Sequence, residues 1–285
     1  MQIDRGAEQL EATVPGGTLA AQRFGDGEAA LLLHGGPGLS EHLGELAAEL
    51  RGSGVATVRY QQRGVPPSTV EGPFDVERHA ADAVAVLDAA RVDRAWLVGH
   101  SWGGYLALRV ATRFPERVSG VLAIGTLGAV GDGGAGQLGP NILSRLDEAT
   151  RAQLAELEAR EEAGTATEED ALRGFALAWP GYFADPANAP ACPRDIRLSE
   201  AGHLETVASI ERDAERVASA VARCAVPVVF LHGSADPIDL EGSARATAAV
   251  MPRAKVIVLP GVGHFAWLEQ PGSAAAALAA LREMT

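Results

Sequence analysis

The run Gly99-His100-Ser101-Trp102-Gly103-Gly104 places a serine in the spacing G-x-S-x-G. Five residues recur by chance, and a serine in a glycine-rich turn also fits a helix N-cap. The flanks sharpen the motif. Apolar residues 95–98 predict a strand entering it, and residues 105–113 predict a helix leaving it. A serine at such a turn is held in a strained conformation with its oxygen exposed. Gly99 and Gly103 allow close backbone approach. The helix start brings positive backbone dipole to developing negative charge. These are the requirements of a nucleophile, which needs a general base. Pro260-Gly261-Val262-Gly263-His264 offers one in the loop after a strand predicted at 255–259. A histidine packed under Trp267 is the structural alternative. His42, His79 and His203 fall in predicted helices, His34 and His232 suit turn-bracing roles, and the His100 side chain is expected to point away from that of Ser101. A histidine base needs an acid to fix its tautomer. Asp236 follows the predicted strand 226–231 and is preferred over Asp239, although Asp-Pro also favours turns.

The oxyanion of a serine-dependent acyl transfer needs donors. His34-Gly35-Gly36-Pro37-Gly38 follows the apolar run 29–33, and Pro37 has no N–H to offer. The backbone amides of Gly36 and Trp102 are the expected donors. A phosphate-binding loop is disfavoured, because no Lys-Ser/Thr pair follows at the required spacing.

The elements that must position these groups alternate. Residues 10–14 and 18–24 predict a β-hairpin across Pro15-Gly16-Gly17. Strands are expected at 29–33, 55–60, 95–98, 118–124, 226–231 and 255–259, with helices at 43–51, 76–90, 105–113, 243–249 and 274–282. This rhythm predicts an α/β fold with a mostly parallel sheet covered on both faces. Residues 128–222 show no strand run. They open on the glycine-rich segment 128–139, expected to be mobile, and continue with helices at 142–162, 168–178 and 200–223. The expected division is a core of residues 1–127 and 223–285 with a helical cap of residues 128–222 inserted in it. Ligand sites in such sheets lie at the C-terminal strand ends, where Ser101, Asp236 and His264 all fall.

The chain has 285 residues, 47% of them apolar and 21% charged, and a net charge of −13. A real core is expected. The acidic balance argues against nonspecific nucleic-acid binding and against anionic membranes. Two cysteines, Cys192 and Cys224, exclude a cysteine metal cluster. No stretch approaches the roughly 20 apolar residues of a membrane helix, and the opening residues lack the pattern of a signal peptide. A cytoplasmic protein is expected, with no metal and no cofactor. A homodimer is compatible with the sequence, which shows no interface for one.

The motifs together resemble the α/β-hydrolase superfamily and, within it, the proline iminopeptidase-like branch. The resemblance rests on HGGPG at 34–38, YQQRGVPPS at 60–68, GHSWGG at 99–104, FPERV at 114–118, LHGSADP at 231–237 and GVGHFAWLEQP at 261–271. The order Ser101, Asp236, His264 is that of the superfamily's triad. The resemblance implies an eight-stranded, mostly parallel sheet, a helical cap and no cofactor. The chain departs from the branch at Gln61, where an aspartate is usual, at Pro66 in place of a glycine, and at Pro180, which follows Trp179 where a glutamate is usual. Glu200 matches another amine-binding cap carboxylate only loosely. The expected activity is therefore hydrolysis of an ester or amide of a small, mostly apolar acyl group through an acyl-enzyme. Trp179, Tyr182 and Phe183 are expected to line the substrate chamber, or else to pack the cap on the body. The alternatives are a proline iminopeptidase-type aminopeptidase acting on short peptides and a biosynthetic enzyme using the fold for a non-hydrolytic step.

Overall fold

Unbroken burial along the central strands, whose side chains alternate between two covered faces, dictates the layering. A computed structural model describes residues 4–285; the first three residues of the expected core lie outside the described residues. Eight strands form one sheet: β1 (Glu8–Val14), β2 (Gly17–Phe24), β3 (Ala29–Leu33), β4 (Ala56–Tyr60), β5 (Ala95–His100), β6 (Val118–Ile124), β7 (Val228–Gly233) and β8 (Ala254–Leu259). Their spatial order is β1-β2-β4-β3-β5-β6-β7-β8. The β1/β2 hairpin is antiparallel and joins β4 antiparallel; every pairing from β4 to β8 is parallel. This is the α/β-hydrolase architecture, with a helical insertion between β6 and β7.

Alternate residues of β3 feed two cores. Leu31 and Leu33 pack with Val76, Val86 and Leu87 of α2 (Val76–Ala89), following α1 (Gly44–Arg51), and with Leu106 and Val110 of α3 (Trp102–Arg113). Ala30 and Leu32 face Leu46 and Leu50 of α1 and the C-terminal helices. The chain leaves β3 for β4 on one side and reaches β5 on the other. The loops after β3 and β5 therefore meet at a point of strand-order reversal, where open α/β sheets form ligand crevices.

The insertion contains α4 (Leu138–Ser144), α5 (Glu148–Glu162), α6 (Glu168–Ala178) and α7 (Glu200–Val221). The single helix expected at 142–162 is two, because the Asp147 carboxylate accepts the Thr150 N–H at 2.7 Å and caps a fresh start. The glycine-rich segment is pinned: Ala129 N–H donates to Thr247 Oγ at 2.9 Å, and Asp132 accepts the Gly134 and Gly136 amides. The sheet side closes with α8 (Ala246–Val250), α9 (Ala266–Glu269) and α10 (Ser273–Arg282). No helix among the described residues is long and apolar enough to cross a membrane.

Candidate active site

Ser101 stands between β5 and α3 with φ 55° and ψ −123°. A non-glycine residue rarely adopts positive φ, and it persists only where the surroundings hold it. Ser101 N–H donates to the Ile124 carbonyl at 2.9 Å, and its own carbonyl accepts from Gly104 N–H at 2.9 Å and Thr126 Oγ at 3.2 Å. The flanking glycines are sterically required. A Cβ on Gly99 would collide with the Gly103 carbonyl, and one on Gly103 with the Leu33 carbonyl. The loop after β3 lies against the serine, since a Cβ on Gly35 would stand 2.8 Å from that of Ser101.

The loops after β7 and β8 bring Asp236 and His264 together. His264 Nδ1–H donates to the Asp236 carboxylate at 3.0 and 3.1 Å, and both residues are buried. Burial pushes the Asp236 carboxyl up, but His264, His232 and the Ile238 amide outweigh it and hold the group below its ordinary value. His232 Nε2–H braces this loop through the Ile238 carbonyl at 3.0 Å. Asp239 faces elsewhere: its carboxylate accepts the Gly242 N–H at 2.6 Å. The Ser101 hydroxyl forms no hydrogen bond among the described residues, and catalytic serine–histidine contacts are often loose before substrate binds.

His264 is held between two rings, His100 at 4.5 Å and Tyr182 at 5.3 Å between centroids. His100 Nε2–H donates to the His264 carbonyl at 3.2 Å. Its ring thus turns toward His264, and burial, then His264, keeps its pKa well below the ordinary value. His42 is in the loop before α1, not in a helix, with its ring edge-on to His34, His100 and Phe265. Burial and the nearby Asp236 push the Tyr182 phenol up to about 12, so it stays protonated.

Neither the Gly36 nor the Trp102 N–H donates a hydrogen bond within the described chain. The Trp102 amide follows Ser101 at the N-terminus of α3, and Gly36 follows Gly35, whose Cβ, if it had one, would stand 2.8 Å from that of Ser101. Gln61, where the resemblance led to an aspartate, is fully buried and braces the loop after β3: it accepts the Glu41 N–H at 2.9 Å and donates to the Leu39 carbonyl at 3.2 Å.

The cap is tied to each of these loops. Ser199 N–H donates to Gly38 O at 2.8 Å and Ser40 N–H to Arg197 O at 2.9 Å, while Asn141 Nδ2 reaches Pro237 O at 2.9 Å. His264 N–H donates to Tyr182 O at 2.9 Å. Of the aromatic residues expected to line a chamber, Trp179 and Phe183 pack the cap onto the body against Phe265, with centroids at 4.7 and 5.3 Å; Tyr182 alone of the three meets the His264 ring. Glu200 is exposed in the first turn of α7 and forms no hydrogen bond or ion pair among the described residues.

Glu269 is a site residue that sequence reasoning missed. Its carboxylate accepts the Gly263 N–H at 2.9 Å and the Ala184 N–H of the cap at 3.0 Å, and burial raises its pKa. It lies inside the quoted run GVGHFAWLEQP, five residues after His264, but nothing in the run shows that α9 folds it back.

The profile of the alpha/beta hydrolase fold family matches residues 30–271. The chain belongs to that family. Over 101 residues it is 33% identical to a putative carbamate hydrolase, RutD, of Variovorax paradoxus, covering 35% of this chain and 38% of that protein. Over 103 residues it is 32% identical to a proline iminopeptidase of Lacticaseibacillus rhamnosus, covering 35% of each. The chain thus matches little more than a third of these relatives' length. Among solved structures, it resembles the 2-hydroxy-6-oxo-6-phenylhexa-2,4-dienoate hydrolase of a Rhodococcus strain with a TM-score of 0.69 and 21% identity, over 97% of this chain and 99% of that one.

Proposed function

We propose that the protein is a serine hydrolase that cleaves an ester or amide of a small, mostly apolar acyl group. The observation that carries this is the buried Asp236–His264 hydrogen bond at the ends of β7 and β8, together with a serine held at positive φ at the end of β5, next to His100, whose ring meets that of His264 at 4.5 Å. In the proposed reaction, Ser101 Oγ attacks the substrate carbonyl while His264 Nε2 takes its proton. The tetrahedral oxyanion faces the amides of Gly36 and Trp102. His264 returns the proton to the leaving group, and the carbon–leaving-group bond breaks to give an acyl-serine. Water, deprotonated by His264, then releases the acid and restores Ser101. Asp236 keeps the imidazole in the tautomer with Nδ1–H and stabilises its cation. The names of two relatives, a putative carbamate hydrolase and a proline iminopeptidase, both denote hydrolysis at a carbonyl and support an acyl substrate. In this reading residues 1–127 and 223–285 form the core and 128–222 the cap, and the acidic chain suits a cytoplasmic enzyme acting on small molecules. Intact-mass analysis after fluorophosphonate treatment tests the reading: one adduct is expected, on the peptide carrying Ser101. An adduct on another residue would refute it.

A second reading, an aminopeptidase of the proline iminopeptidase type, draws on Glu200, because the first turn of α7 lies over the loop holding Pro37 and Gly38. An α-ammonium leaves water only at high cost unless a carboxylate receives it. The other nearby cap carboxylate, Glu205, accepts the Phe74 N–H at 3.3 Å. Matched prolyl and cyclopentanecarbonyl derivatives differ mainly by the amine, so kcat/KM for the pair decides. The apolar ring is expected to match or exceed the prolyl ring. A prolyl preference of about 10²-fold, nearly 3 kcal/mol, would favour the aminopeptidase.

A further inference from the structure

We infer that Gln62 is a positioning residue that fixes the separation of the two amides facing the oxyanion; the inference rests on the serine-hydrolase reading above. The Gln62 side chain is buried in the loop after β4. Its Nε2 donates to the His34 carbonyl at 3.0 Å, and its Oε1 accepts the Trp102 indole N–H at 2.9 Å. Its backbone N–H donates to His34 Nε2 at 3.3 Å, while His34 Nδ1–H donates to the Gly35 carbonyl at 3.0 Å. These bonds fix one tautomer of His34, whose proton is on Nδ1. One carboxamide thus spans the two segments that supply the donors. The His34 carbonyl lies two residues before Gly36, and the indole belongs to the residue whose own amide is the second donor. No other side-chain hydrogen bond joins residues 34–38 to residues 99–104 among the described residues.

Donors in such a site act only when aimed within about 2.7–3.1 Å of the developing oxyanion, and their advantage is that they do not reorganise during the reaction. Without the bridge, the buried His34 carbonyl and Trp102 indole N–H would each lose a partner and shift toward new ones. Movement of well under 1 Å between Gly36 and Trp102 would spoil the transition state more than substrate binding.

The test compares Gln62→Met, which keeps length without the amide, with Trp102→Phe, which removes the indole N–H, and with the double variant. Active sites are counted by fluorophosphonate labelling, so misfolded protein drops out. Two quantities are then read: kcat and KM for a short p-nitrophenyl ester, and Ki for a trifluoromethyl ketone whose serine hemiketal alkoxide occupies the oxyanion position. Per active site, kcat is expected to fall roughly 10- to 100-fold with KM within about threefold. Ki should rise by the factor that kcat/KM falls, and the double variant should be little worse than either single one. Lowered melting temperature with unchanged kcat and Ki would overturn the proposal, because bracing of the core alone predicts that result. If Gln62→Met does not fold, Trp102→Phe bears the same two outcomes. Ser101→Ala separates the levels. Retained turnover there defeats the serine-hydrolase reading itself, whereas an inactive Ser101→Ala beside a kinetically normal Gln62→Met rejects the role of Gln62 alone.

Discussion

Alanine at Ser101 or at His264 is expected to lower kcat by roughly 10⁶-fold, and asparagine at Asp236 by roughly 10⁴-fold, each with the fold intact. The first two changes remove the attacking atom and the proton acceptor. The third leaves the volume unchanged but replaces an acceptor-only carboxylate, which now receives His264 Nδ1–H at 3.0 Å. An asparagine offers an N–H there and favours the wrong imidazole tautomer. The three groups act on one proton, so combining Ser101→Ala with His264→Ala should cost little more than either change alone. Asp239→Asn provides the contrast. Its carboxylate caps the turn at Gly242, 2.6 Å from that amide, and its loss should leave kcat within about threefold. Steady-state rates with a p-nitrophenyl ester, checked by circular dichroism, measure all five variants. A crippled Asp239→Asn beside an active Asp236→Asn would reassign the acid.

Much of this arrangement is legible in the sequence because it depends on short-range rules. The apolar runs of β3 and β6 end where the periodicity ends, at Leu33 and Ile124. The G-x-S-x-G spacing is forced by collisions that a Cβ on Gly99 or Gly103 would create. What escaped is what depends on chain reversal in three dimensions. The break at Asp147 is a local cap inside a charged helical stretch, and its carboxylate looks like any other surface acid there. For Trp179 and Phe183 composition leaves chamber wall and cap packing both open, and the choice depends on Phe265, more than 80 residues away. Gln61 and Gln62 look like a departure and an ordinary polar residue in an extended motif. Only the tertiary contacts of the loop after β3 show that one braces Leu39 and the other spans to Trp102.

Acid should unfold this protein early, at pH values where carboxylates still carry their charge. His34 and His79 are fully buried with their pKa lowered to about 3, by burial and then by His42 and Arg63 respectively. His100 lies well below its ordinary value for the same first reason. In the unfolded chain all three return to about 6.5. Above that pH neither state binds a proton at these sites and stability is unaffected. Below it the unfolded chain takes up protons that the folded chain refuses, so stability falls as pH falls and keeps falling until the folded values are reached. Between pH 7.5 and 5.5 each such histidine contributes about 1.4 kcal/mol in all, so His34 and His79 together contribute about 3 kcal/mol, and His100 adds in the same direction. That is a large fraction of the 5–15 kcal/mol typical of a folded domain. The Asp236 carboxyl, also held below its ordinary value, has a linkage of the same sign in a lower pH window. Its stabilisation is present above the unfolded carboxyl value and is lost as pH falls through the folded one, so it adds to the loss only in stronger acid. Urea unfolding followed by tryptophan fluorescence at pH 7.5, 6.5 and 5.5 gives the slope directly. His79→Gln should reduce it by about one proton, because His79 is buried on α2 with its Nε2 3.4 Å from Thr206 Oγ and its ring edge-on to Trp102 at 5.7 Å. A change of less than about 1 kcal/mol across that range would mean that these imidazoles take up protons in the folded state, against their burial.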